Sequence, residues 1–438
     1  MEARTMHVVT PTLAAMALLI AGPSLPACSP SASDRPVVTF PASSLGAEAE
    51  LLRRQIARFT SEHPSIEVVF QITPDDATQR HQLFVQRLNA GSGDPDVLQL
   101  DVVWTAEFAA AGWLLPLDRF DARPGSFFGA AASAATWQGR LYAVPWFIDV
   151  GMLYWRTDLL PRAPRSLDEL VAAARSGASR PGPPSLGIVW QGARYEGLVT
   201  VFLEYLGAFG GDILSPEGRV LVDSPAGVRA LEFMRDQIHR LDIAPEAVLT
   251  WHEEESRFAF QNGSAVLMRN WPYAYALMNG DDSRVAGRFG VAAMPAAPGG
   301  RPTATLGGGQ LAINARSDAP EAAYELIAYL TAPEQMLERA AVAGHLPTRP
   351  ALYGDPRLAA ALAMPVEQAL QVVEAATPRP VTPIYTQLSE ILQIHLHRAL
   401  VGQAAPAAAL RSAAREMEKT IERTGVRRLH QGAPADAQ

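Results

Sequence analysis

Phe258-Ala-Phe-Gln-Asn-Gly-Ser-Ala-Val-Leu-Met-Arg-Asn-Trp-Pro-Tyr-Ala-Tyr275 reads as the end of a helix, a turn, a buried strand and a polar, aromatic loop. Phe258 and Phe260 close an amphipathic helix, Asn262-Gly263 supplies a left-handed C-cap, and Ala265 to Met268 is a short apolar run between breakers, the signature of a buried strand. Arg269, Asn270, Trp271 and Tyr273 then gather at the strand's carboxyl end. Ligands of open α/β sheets sit at that edge, so a guanidinium, an amide and flat rings placed there are expected to form a recognition site. The competing reading is a Trp-Pro turn that packs one lobe.

Strand and helix alternate outward from this stretch. Val37 to Phe40 is an expected strand, Leu51, Leu52, Ile56 and Phe59 mark a helix, and Ile66 to Ile72 alternates apolar with polar. Pro95 to Asp101 and Tyr142 to Phe147 are further strands, as are Leu186 to Trp190, Val291 to Met294 and Thr303 to Ile313, the last two joined by a Pro/Gly hairpin at Pro295–Pro302. Such alternation predicts parallel sheets. Gly307-Gly-Gly309 suggests a backbone that passes close to something. After Gly344-His-Leu-Pro-Thr-Arg349 the chain reads as helical, broken at Pro378-Arg-Pro380 and Pro383-Ile-Tyr-Thr-Gln387.

A chain of 438 residues, with 48% apolar and 19% charged residues, predicts two lobes of ordinary globular composition. The net charge of −8 argues against nucleic acid or an anionic lipid surface as partner. The lone cysteine, Cys28, follows Arg4, an apolar run from Val8 to Ile20, a Gly22-Pro23 break and Leu25-Pro26-Ala27. This resembles a bacterial lipoprotein signal peptide over residues 1–27, which implies export, lipidation of Cys28 and a membrane anchor; Pro26 departs from the small or aliphatic residue usual there. No other stretch reaches the roughly 18 apolar residues of a membrane span.

Several chemistries lack their motif. Neither G-x-S-x-G nor G-x-G-x-x-G occurs in the proper context, and Gly307-Gly-Gly309 lacks the lysine of a phosphate loop. His395 and His397 stand two apart on an expected helix and so face different sides, which argues against a metal site. The acidic start Glu253-Glu-Glu255 is explained by the helix dipole alone. Asp101, Asp149 and Glu196 fall at or just beyond strand ends, where a glycosidase would use two carboxylates as acid and base or nucleophile. A sugar-binding site would use the same groups to accept hydroxyl hydrogen bonds, with arginine donating and aromatic rings stacking on the pyranose C–H face. Trp104, Trp146, Trp190, Tyr195, Trp271 and Tyr273, all close to those strand ends, favour binding.

The exported leader, the two α/β halves, the element ending in Asn270-Trp-Pro272 and the helical tail together resemble the carbohydrate-binding extracellular solute-binding proteins of ABC transporters. Asp94-Pro-Asp-Val, Leu100-Asp-Val-Val-Trp104, Trp190-Gln-Gly, Tyr195-Glu-Gly197, Arg269-Asn-Trp-Pro-Tyr273, Thr305-Leu-Gly-Gly308 and Pro378-Arg-Pro380 resemble the trehalose/maltose-binding members. The resemblance implies a two-lobed, hinged fold with mostly parallel sheets flanked by helices, divided as residues 37–148 with 292–346 and 149–291 with 347–427, ahead of a flexible tail at 428–438. It further implies ligand contacts from Glu48, Arg80, Asp101, Asp149, Trp271, Gly308 and Arg379, with Tyr195 and Glu196 nearby; Tyr273 joins them from the opening stretch. The expected function is capture of an α-glucoside disaccharide such as trehalose or maltose and its delivery to an ABC permease. The protein is expected to be a monomer, anchored to the bacterial membrane and facing the periplasm or exterior, without catalysis, cofactor or metal. The alternatives are an exported glycoside hydrolase and a receptor for another solute such as a glycerophosphodiester. Gly309 stands where the family commonly carries a bulky aromatic, which predicts a lost stacking surface and an enlarged pocket.

Overall fold

The computed structural model describes residues 35–178 and 184–426; the leader, Cys28 and the tail from 428 lie outside them. Period-two burial defines the first strand, Val37–Ala42 (β1), which hides Val38, Phe40 and Ala42 and exposes Val37. It pairs in parallel with Glu67–Ile72 (β2). Parallel neighbours need a crossover, here the helix Glu48–Glu62, whose Leu51, Leu52, Ile56 and Phe59 are buried. The next helix, Ala77–Asn89, starts on Asp76, whose carboxylate accepts the Gln79 N–H at 2.9 Å. Val97–Asp101 (β3) follows, held beside β1 by Asp96: its N–H donates to the Thr39 carbonyl at 3.1 Å, and its carboxylate accepts the Thr39 N–H at 2.8 Å.

Ala143–Val150 (β4) runs into Met152–Arg156 (β5) with Gly151 alone between them, yet the two strands lie in different sheets. Beyond this crossing, Leu186–Val189 (β6), Ala265–Asn270 (β7) and Phe289–Ala292 (β8) join β5 in a sheet ordered β8-β5-β7-β6. Ala304–Ile313 (β9) then returns to the first sheet and lies between β3 and β4, while Ala376–Thr377 (β10) pairs with its start. The helices Tyr385–Leu400 and Pro406–Thr424 pack against Pro225–His239 on the second lobe. The result is an α/β body of two lobes, one carrying the β1–β2 pair beside the sheet of β3, β9, β4 and β10, the other the sheet β8-β5-β7-β6.

Three expectations change. The sheets are mixed: β1–β2, β6–β7 and β9–β10 are parallel, but β9 runs antiparallel to both β3 and β4, and β5 is antiparallel to β7 and β8. A strand that re-enters a sheet from the other lobe arrives with its direction set by the crossing, not by a helical crossover. For the same reason β8 and β9 form no hairpin. They belong to different sheets and share only the bridge between Met294 and Thr303, and the Pro/Gly segment between them lies against the helix Glu196–Ala208, where Ala297 N–H donates to the Ala208 carbonyl at 3.1 Å. Finally, β7 extends through Arg269 and Asn270, which are fully buried strand residues and not part of the loop.

Candidate ligand-binding cleft

The ends of these strands converge on a cleft enclosing about 780 Å³, part of it open to solvent. Glu48 reaches it from the first turn of its helix, Arg80 from the helix Ala77–Asn89, Asp101 from the end of β3 and Asp149 from β4. Tyr195 and Glu196 enter at the start of the helix Glu196–Ala208, Trp271 just past β7, Gly308 from β9 and Arg379 beyond β10. Tyr273 does not line the cleft: its hydroxyl donates to Glu254 Oε1 at 2.7 Å and its ring packs against Gly46.

The cleft is organised by charge. Arg379 donates to Asp101 Oδ1 at 2.6 Å and to Glu196 Oε1 at 2.7 Å, joining β3 of the first lobe to the second. Burial works against its charge, but Asp101, Tyr385 and Glu196 outweigh burial and raise its pKa. Glu196 also accepts hydrogen bonds from the hydroxyls of Tyr385, at 2.7 Å, and Ser389. Glu48 is buried with Ser43 donating to Oε2 and Arg339 Nη1 donating to Oε1 at 3.2 Å; burial nevertheless raises its pKa. Asp149 differs, because its buried Oδ1 has no partner among the described residues. Burial, reinforced by the neighbouring Glu48 and Asp101 carboxylates, raises Asp149 to about 8. Arg80 Nε is likewise buried without a partner, as is the Tyr195 hydroxyl. Unpaired buried donors and acceptors in one cleft are groups that a polar solute satisfies.

The opening stretch contributes differently from its sequence reading. Arg269 does not face the cleft; it pairs with Glu204, both side chains being fully buried, and donates to Gln191 Oε1 at 3.1 Å. Its guanidinium lies 3.9 Å from the centre of the Trp271 ring and backs that ring. Asn270 is also structural, donating to the Glu253 carbonyl at 3.0 Å and accepting the Trp271 N–H at 2.8 Å. Trp104, Trp146 and Trp190 are core residues. Glu253, assigned only a dipole role from sequence, lines the cleft and accepts the Trp271 indole N–H at 3.3 Å.

Gly309 does not enlarge the cavity. A Cβ placed there would lie 2.4 Å from Cε1 of Phe147, whose ring occupies the space and stacks on His345 with centroids 3.9 Å apart. Gly308, at φ +130°, places its missing Cβ 2.2 Å from the Phe147 carbonyl, a close approach that glycine alone allows. Phe147 and His345 line the cleft and were not anticipated, nor were Ser43 and Gln99. Phe147 sits inside an apolar run that reads as core. The signal for His345 was a polar residue directly after Gly344, in the left-handed region at φ +68°.

Two lobes with polar groups converging from both define a ligand-clamping protein. The family model for bacterial extracellular solute-binding proteins matches residues 42–337, and the chain belongs to that family. A probable ABC transporter-binding protein of Deinococcus radiodurans is 38% identical over 351 residues, covering 77% of this chain and 83% of that one. The solved structure of maltose-bound MalE3 from T. maritima is 45% identical with a TM-score of 0.84, covering 88% of this chain and 99% of that chain. The GacH receptor of Streptomyces glaucescens, solved unliganded and with acarbose, is 28% identical with a TM-score of 0.80 over 89% of this chain and 99% of that chain. The chain is thus a substrate-binding protein of the ABC transporter class, with the two-lobed architecture of the MalE-like type, and not an enzyme.

Proposed function

We propose that the protein captures an α-glucoside disaccharide of the trehalose or maltose type between its lobes and hands it to an ABC permease, working as a monomer held to the membrane through a lipid on Cys28. The observation that carries this reading is the pairing of the Trp271 ring, backed by Arg269, with acceptors and donors from both lobes: Glu48, Asp101 and Asp149 opposite Glu196 and Arg379. A flat ring suits the C–H face of a pyranose, while carboxylates and guanidinium suit its vicinal hydroxyls. The likeness to a maltose-bound protein at 45% identity supports the sugar class. Closure follows because a sugar touching both lobes binds the closed state better than the open one. Tryptophan fluorescence of the wild type and of Trp271→Phe, titrated with maltose and trehalose, tests the reading. Saturable quenching in the wild type, weakened at least tenfold in the variant, is the expected result; equal affinities would place the sugar away from Trp271.

A further inference from the structure

One side chain in the cleft has a fixed protonation pattern that the contacts above leave unused. His345 is 4% exposed and lines the cleft. Its Nδ1 lies 3.2 Å from Arg339 Nη1, the one hydrogen bond of its ring among the described residues. A guanidinium only donates, so Nδ1 accepts and the proton of the neutral ring belongs to Nε2. Burial, with the Arg339 charge adding to it, holds the ring well below the ordinary imidazole pKa and keeps it neutral.

Its position is fixed as firmly as its tautomer. The ring lies parallel to Phe147, with 6° between the planes. Arg339 is itself immobilised: 1% exposed, 3.7 Å over the Trp146 ring and bonded to Glu48 Oε1 at 3.2 Å.

We propose that His345 contacts the ligand as a neutral donor whose Nε2–H is offered to a sugar hydroxyl, with Arg339 the positioning residue that selects this tautomer. The proposal deepens the sugar-binding reading and rests on it. A carboxylate such as Glu48 accepts a hydroxyl's proton but leaves its lone pairs unmatched, and a fixed N–H in the same cleft supplies the complement. Because the donor carries no charge, it serves a neutral hydroxyl without drawing an anion into the cleft.

Isothermal titration of the wild type, His345→Phe and His345→Gln with maltose, trehalose and their monodeoxy analogues tests it, with thermal unfolding to confirm that each variant is folded. His345→Phe keeps a ring against Phe147 and should bind about tenfold more weakly, as the loss of one hydrogen bond predicts. His345→Gln, whose amide can reach the Nε2 position, should recover most of that loss, and one deoxy analogue should bind the wild type and His345→Phe equally. Nitrogen-15 NMR of the free protein should show the His345 ring protonated at Nε2 alone from pH 6 to 8. Unchanged affinity in His345→Phe, equal losses against every deoxy analogue, or a proton on Nδ1 would overturn the role of His345. Failure of the wild type to bind any of these sugars would instead overturn the sugar reading and, with it, the hydroxyl partner.

Discussion

Asp149 is the residue with the clearest consequence for pH. Its pKa is raised from 3.8 to about 8, so the folded protein holds a proton that the unfolded chain releases. Its contribution to stability is complete below pH 3.8 and is lost as pH rises toward 8. Asp149→Asn should therefore raise the melting temperature of the ligand-free protein more at pH 8 than at pH 5, as differential scanning calorimetry would show. Arg379 and Asp101 form an ion pair, Arg379 buried and Asp101 partly so, that lines the cleft. Alanine at either position should weaken sugar binding by roughly 1.5–3 kcal/mol, or about ten- to hundredfold in Kd by titration calorimetry. Placement at strand ends singled out Asp101, Asp149 and Glu196, while Glu48, Arg80 and Arg379 came only from the family resemblance; all six line one cleft. Arg269 was misassigned because its partner, Glu204, stands 65 positions away in sequence, and nothing local announces a buried carboxylate beneath it. Gly309 misled in another way: a missing side chain is read as space, whereas a neighbour on the adjacent strand can fill it, as Phe147 does.

Gly151 between β4 and β5 is the element on which the lobes' connection turns. A Cβ there would lie 1.7 Å from Glu204 Oε1 and 2.5 Å from Arg269 Nη2. Gly151→Ala must push apart a fully buried ion pair, and breaking such pairs costs about 3–5 kcal/mol. Chemical denaturation should register a loss of that order, with the m-value unchanged. The helices and short strands were legible from periodicity, since each buries a face determined by its own residues, as the Glu48–Glu62 helix shows. Strand direction was not. Whether β9 pairs parallel or antiparallel depends on which lobe the chain arrives from, and the Pro/Gly segment before it reads the same whether it closes a hairpin or crosses between lobes.

At the scale of the molecule, the two lobes meet through direct protein contacts as well as through the cleft. Arg379 bridges Asp101 and Glu196, the Thr386 hydroxyl donates to Glu107 Oε2 at 2.6 Å, and His252 lies 3.4 Å from Asp76. Contacts that span the lobes favour their present arrangement, so removing one is expected to act mainly on release of a bound ligand. Thr386→Val removes one of them outside the cleft and should speed sugar dissociation several-fold in stopped-flow displacement, with little change in association. The two-lobed design was legible from chain length and the repeated strand–helix pattern, but the contacts that latch it join residues 279 and 278 positions apart, as for Thr386–Glu107 and Arg379–Asp101, and no local pattern reports them.

The most direct test of the account is isothermal titration of the chain beginning after Cys28 with trehalose, maltose, sucrose, maltodextrins and glycerophosphodiesters. One-to-one binding of an α-glucoside disaccharide, tighter than that of the longer maltodextrins, is the predicted result. Silence toward all the sugars with binding to a glycerophosphodiester would contradict it, leaving a solute-binding clamp whose cleft recognises a different chemistry.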